Sequence, residues 1–261
     1  MVALFSVLLP QQIQTTSLSS RLKKLDNRKI ETIIKGTPGG DESDAFRTEY
    51  LCEIITDSDR AVVPEFTKNE KDIVVEWARP PFCDKYVSMD IGIRDLTVVL
   101  FGYYDFQNAV LVVEDELVMN GNEMTTDKLA TGIRDKEYKN WLNKLTGEQE
   151  KPYLRVCDNS LTVINDLAML HGLYFRPTDK QNKNEALNQV KMMFNNNEIV
   201  INPRCEILIN HLRLATWDKT KKDYTRSKDN GHFDAVDALV YMVRNVNLTH
   251  NPYPTGYRHA G

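Results

Sequence analysis

The chain of 261 residues is 41% hydrophobic and 27% charged, a globular balance that excludes wholesale disorder. No stretch reaches the roughly 18 apolar residues of a membrane span, and the opening run Val2–Leu9 lacks the basic flank of a secretory leader. A net charge of −4 argues against an all-over basic coat but is compatible with a local nucleic-acid groove and with clustered carboxylates.

Residues 1 to 45 are polar and broken, with Gly36, Pro38, Gly39 and Gly40 marking turns. Ala45–Ile55 carries apolar residues at helical spacing, and a linker-like stretch follows through Pro64, Pro80 and Pro81. This first third shows no independent core. From Lys85 the texture changes. Tyr86–Gly92, Leu96–Tyr104 and Ala109–Met119 read as three sequential antiparallel strands. Thr125–Leu145 reads as a helix, Tyr153–Cys157 as a buried strand, and Leu161–Leu170 as a helix capped by Asn159 or Ser160. A brief strand at Leu173–Arg176 precedes a helix over Asn184–Asn195, an extended Ile199–Ile201 and a helix over Cys205–Trp217. Asp234–Asn247 forms a final amphipathic helix. A three-strand meander followed by alternating strands and helices predicts a mixed α/β sheet flanked by helices. The four cysteines, Cys52, Cys83, Cys157 and Cys205, form no CxxC pair and read as reduced thiols.

The carboxylates fall at element ends. Asp90 lies in the C-terminal part of the first strand, just before Gly92, and Asp158 follows the strand Tyr153–Cys157, where open α/β sheets place their ligands. Asp234 and Asp237 are three apart and share one face of the last helix. Acids converging from two strand ends and a helix repel one another and need a cation, and hard oxygen donors favour Mg²⁺ or Mn²⁺. Two such ions roughly 3.5–4 Å apart suit phosphodiester cleavage. The competing reading makes each acid a turn or cap residue. His232, two before Asp234, suits a metal or an oriented water and equally suits a helix cap. Asp95 reads as a turn residue.

Between Thr178 and Asn230 ten Lys and Arg outnumber seven acids, against the negative balance of the whole chain. Lys180 and Lys183 open this segment, and Lys219, Lys221, Lys222, Arg226 and Lys228 surround Tyr224 in a basic loop entering the last helix. Such a loop suits DNA backbone phosphates; its plain alternative is a solvated surface.

Three segments, YVSMDIGIRDLT (Tyr86–Thr97), LRVCD (Leu154–Asp158) and NGHFDAVDALVY (Asn230–Tyr241), resemble the nuclease domain of the large terminase subunit of tailed bacteriophages. TDKQNK (Thr178–Lys183) and INPRC (Ile201–Cys205) are similar to that family too, so that the resemblance spans about residues 83 to 248. FRTEYLCE (Phe46–Glu53) resembles the handover from the family's ATPase motor to its nuclease. The resemblance implies an RNase H-like fold and a metal-dependent endonuclease that cuts concatemeric viral DNA during packaging. It implies two Mg²⁺ or Mn²⁺ ions on Asp90, Asp158 and either Asp234 or Asp237. It further implies double-stranded DNA as substrate, an ATPase module, a small terminase subunit and a portal as partners, and the cytoplasm of an infected host as location. The expected division is an ATPase-end remnant over 1–82, the nuclease over 83–250 and a tail over 251–261. No GxxxxGK[ST] loop occurs, so the expectation is an excised domain, a split-gene product or a remnant rather than a complete motor. The rivals are another RNase H-like nuclease of resolvase or transposase type, and a non-catalytic DNA-binding or assembly module.

Overall fold

Three consecutive strands form the centre of a six-stranded mixed sheet in the computed structural model: β1 (Asp84–Asp90), β2 (Leu96–Asp105) and β3 (Val110–Asn120). The structure describes residues 32, 34, 60–92, 96–143, 146–218, 220, 223–225, 233–255 and 257. The chain divides into two units, Met1–Asp57 and Ser58–Gly261, and the sheet with its helices belongs to the second.

β1, β2 and β3 pair antiparallel in sequence order. β4 (Leu154–Cys157) adds parallel to β1, and the two-residue β5 (Arg176–Pro177) adds parallel to β4. β6 (Ile199–Ile201) joins parallel to β3, giving the order β5-β4-β1-β2-β3-β6. This is the mixed α/β sheet expected of an RNase H-like fold. Every residue of β1 is buried, as a central strand covered on both faces requires.

Helices cover the two faces. α2 (Thr126–Trp141) and α3 (Leu161–His171) pack on one, where Val87, Met89, Val99 and Phe101 meet Leu129, Ile133, Trp141 and Leu167. α1 (Pro64–Ile73), α4 (Lys183–Asn195), α5 (Glu206–Leu214) and α6 (Asp234–Asn245) gather on the other. α6 is buried almost all round, because it lies on β1, β2 and β4 and is backed by α4 and α5. The sheet comes unusually close to it at Gly102. A Cβ there would stand 2.4 Å from the Val112 carbonyl oxygen and 3.2 Å from Met242 Sδ, beside a register shift between Phe101 and Gly102.

Several expectations need correction. The linker-like stretch at Pro64 is α1: the proline sits in its first turn, and Phe66 and Ile73, one heptad apart, are fully buried in the main core. Leu173 and Phe175 are buried without being strand; only Arg176 and Pro177 pair. The helix expected to reach Trp217 stops at Leu214, because Thr216 and Trp217 turn to bridge Ala61 and Tyr224. The final helix ends at Asn245, and Asn247 instead donates its backbone N–H to the buried Tyr86 hydroxyl at 3.0 Å. The helix expected to run to Leu145 stops at Trp141. Cys83, Cys157 and Cys205 are buried free thiols, and burial pushes the first two up to about 11 and about 12. Among the described residues no helix is long and apolar enough to cross a membrane.

Candidate active site

Strand alternation decides where Asp90 points. Val87 and Met89 face α2 and α3, so Tyr86, Ser88 and Asp90 face α6. Ser88 Oγ donates to the Ala238 carbonyl at 2.8 Å and ties strand to helix at this level. The parallel register Met89↔Cys157 then sets Asp158, one residue past β4, beside Asp90. The Asp158 N–H donates to the Met89 carbonyl at 3.2 Å, and the Thr178 N–H donates to the Cys157 carbonyl at 2.8 Å. The ends of β1, β4 and β5 are thereby aligned, and the chain leaving β5 delivers Lys180 and Lys183.

The first turn of α6 supplies Asp234 and Asp237, where the helix dipole favours negative charge. The residue before it, Phe233, has φ 62 and its side chain caps nothing. His211 of α5 stands in: its Nδ1 accepts from the Ala235 N–H at 3.3 Å. Burial lowers His211 to about 4, so the ring stays neutral and can accept.

The acids feel one another. Asp90 is raised from 3.8 to about 8, first by burial and then by the charges of Asp237, Asp234 and Asp158, with Lys180 opposing. A hydrogen bond with Asp90 adds to the burial that pushes Tyr241 far above its ordinary value. Lys180 Nζ lies 3.3 Å from Asp158 Oδ2, and the Ser160 N–H donates to Asp158 Oδ1 at 3.2 Å. Asp237 takes Lys183 Nζ at 3.1 Å and 3.2 Å, and the Tyr224 hydroxyl donates to its Oδ1 at 3.0 Å. The two lysines expected to meet DNA thus serve as counter-ions to site acids.

The structure therefore brings together Asp90, Asp158, Asp234, Asp237, Lys180 and Lys183. His232, Lys219, Lys221, Lys222, Arg226 and Lys228, and Asp95 as well, lie outside the described residues. Sequence reasoning missed Tyr241, Tyr224 and His211. Tyr241 carried a signal, since it follows Asp237 by four residues and shares its helix face. Nothing in the sequence marked His211.

The donor set is all carboxylate oxygen, the chemistry of Mg²⁺ and Mn²⁺ rather than of zinc. Among the described residues no three His, Cys, Asp or Glu side chains are grouped tightly enough to hold a metal ion. Lys180 pairs with Asp158 and Lys183 with Asp237. The chemistry fits a hard divalent cation, and the geometry is that of an acid cluster carrying its own counter-ions.

No protein-family model and no curated protein sequence matches this chain. Solved structures do. The large terminase of a thermophilic bacteriophage superposes at a TM-score of 0.58 with 18% identity, over 85% of this chain and 53% of that one. A second crystal form of the same terminase gives 0.57 and 17% over 86% and 52%. The P22 large terminase nuclease domain gives 0.51 and 14%, over 68% of this chain and 89% of that domain. The chain spans about half the length of the thermophilic phage's terminase. At these identities the likeness is one of fold: this chain folds as the nuclease domains of large terminases do.

Proposed function

We propose that this chain is a divalent-metal-dependent DNA endonuclease of the large terminase type, which cuts concatemeric viral DNA during genome packaging. One observation carries the reading. Asp90 and Asp158 lie side by side at aligned strand ends beneath the first turn of α6, and Asp90 is pushed up to about 8, first by burial and then by the charges of Asp237, Asp234 and Asp158. An acid cluster of that kind is costly, and a cation is what makes it useful. Asp90, Asp158 and Asp234 or Asp237 would hold Mg²⁺ or Mn²⁺, two ions in the family pattern. Bound there, the ions would supply charge for the attacking and leaving oxygens of phosphodiester hydrolysis.

The chain's own residues do the rest. Register between β1 and β4 fixes two of the acids, and the neutral His211 ring holds the α6 N-terminus that presents the others. Lys180 and Lys183 balance the acids until a cation takes their place. Lys180, Lys183, Lys219, Lys221, Lys222, Arg226 and Lys228 then supply positive charge for the backbone of double-stranded DNA. An ATPase module, a small terminase subunit and a portal are the proposed partners, in the cytoplasm of an infected bacterium. The division into 1–82, 83–250 and 251–261 belongs to this same proposal, with α1 of the first part packed into the core of the second.

A second reading, a non-catalytic DNA-binding or assembly module, draws on one observation: the counter-ions already at Asp158 and Asp237. Incubation of supercoiled plasmid with Mg²⁺, Mn²⁺ or EDTA, beside Asp158→Ala, separates the two. The nuclease reading expects cutting with either metal, none with EDTA, and a loss of about a hundredfold or more in the variant. Intact plasmid in every lane supports the module instead.

A further inference from the structure

Two neighbours of Asp237 hold it in different ways. The Tyr224 ring is buried, packed 5.5 Å from Trp217 and 6.4 Å from Phe233 between ring centroids, and Trp217 and Tyr224 are joined by a β-bridge. Its hydroxyl direction is therefore set by packing, and it is spent on Asp237 Oδ1 at 3.0 Å. Lys183 contacts both carboxylate oxygens at 3.1 Å and 3.2 Å, yet its side chain is 36% exposed, on a flexible stem that reaches solvent. Its ammonium also rests 3.9 Å above the Tyr224 ring, so tyrosine, lysine and aspartate form one closed triangle.

We propose that Tyr224 is the positioning residue that fixes the Asp237 carboxylate for a divalent cation, and that Lys183 is the exchangeable counter-ion a cation displaces. This rests on the nuclease reading above. A carboxylate has about four lone-pair sites, so one hydroxyl donor orients it and leaves room for a cation. Carboxylates that bind metals are commonly held by such a partner, whose loss costs roughly 10–100-fold in affinity. The lysine contact is different in kind, since two cations do not share those oxygens without repulsion. Trp217 and Tyr224 also bracket Lys219, Lys221 and Lys222 in sequence.

The test is Mn²⁺ titration by calorimetry on the full chain and on Tyr224→Phe and Lys183→Met, with melting temperatures for all three. Tyr224→Phe keeps the ring and removes the donor. It is expected to weaken Mn²⁺ about tenfold, while Lys183→Met tightens it. Opposite signs from two neighbours of one carboxylate are beyond a merely structural role, which would lower both melting temperatures and leave Mn²⁺ affinity alone. Unchanged affinity in Tyr224→Phe, or equal weakening in both variants, overturns the assignment while the nuclease reading stands. No Mn²⁺ binding by the unaltered chain overturns that reading, and this inference with it.

Discussion

Asp90 is under two opposing demands. As a candidate ligand it must ionise, and as a buried acid among three others it resists ionising, with its affinity for protons raised to about 8. The unfolded chain releases this proton near 3.8, so between about 4 and 8 the folded state binds more protons than the unfolded one. Asp90's contribution to metal-free stability therefore falls as pH rises through that window, with the penalty fully developed above about 8, while the smaller shift of His211, from 6.5 to about 4, acts the other way in the lower part of the window. Calorimetric melting in EDTA should show a lower melting temperature at pH 8 than at pH 5. Added Mn²⁺ should restore the loss, because the cation binds the ionised folded form. A melting temperature that rises steadily from pH 5 to 8 without metal would contradict the placement of Asp90. At this scale the sequence was informative for the acids, which sit at the element ends that its patterns mark. It was silent on their partners. Tyr224 read as the centre of a basic loop and His211 as one position of a helix, and their contacts with Asp237 and Ala235 arise only once distant segments meet. Lys180 and Lys183 read as DNA contacts, and charge in a sequence does not disclose that they also face Asp158 and Asp237.

Among elements, the meander and the later alternation were legible because long β-branched runs and turn residues leave few other solutions. β1, β2, β3, β4 and β6 each lie within two residues of their expected bounds. What failed was short or tertiary in origin. β5 is two residues long and exists only through its pairing with Val156 and Cys157. α1 was hidden behind Pro64, which reads as a breaker unless the first helical turn is recognised. Its burial makes it part of the folding unit of the sheet, upstream of the expected boundary at 82. Phe66 packs edge to face on Phe194 with 5.6 Å between ring centroids and is fully buried. Phe66→Ala should cost about 3–5 kcal/mol in denaturant unfolding. A cost under about 1 kcal/mol would return α1 to the linker reading. α5 and α6 show one device twice: a side chain from elsewhere caps a helix whose own N-cap residue does not. Glu116 of β3 accepts from the Ile207 and Leu208 N–H groups at 2.7 Å and 3.0 Å, as His211 accepts from Ala235.

For the molecule as a whole, the likeness to large terminases is one of fold at 14–18% identity, and the chemistry must come from the site. Charge distribution gives one test of the DNA reading that is independent of cleavage. The positive segment over 178–230 stands against a net charge of −4. Lys221→Ala with Lys222→Ala should weaken duplex binding and reduce the slope of log affinity against log salt by about 1–2. An unchanged slope would return that segment to a solvated surface.

The central claim, that the acid cluster is a cation-dependent cutting site, is tested most directly by Asp90→Asn, assayed for plasmid cleavage and for metal-free melting in the same preparation. The two readouts should move in opposite directions. Cleavage with Mn²⁺ should fall by about a hundredfold or more, while the melting temperature in EDTA at pH 8 rises, because a neutral amide removes first the cost of burying a charge and then the repulsion of Asp237, Asp234 and Asp158. Cleavage retained at the wild-type rate by a protein of unchanged stability would contradict the claim.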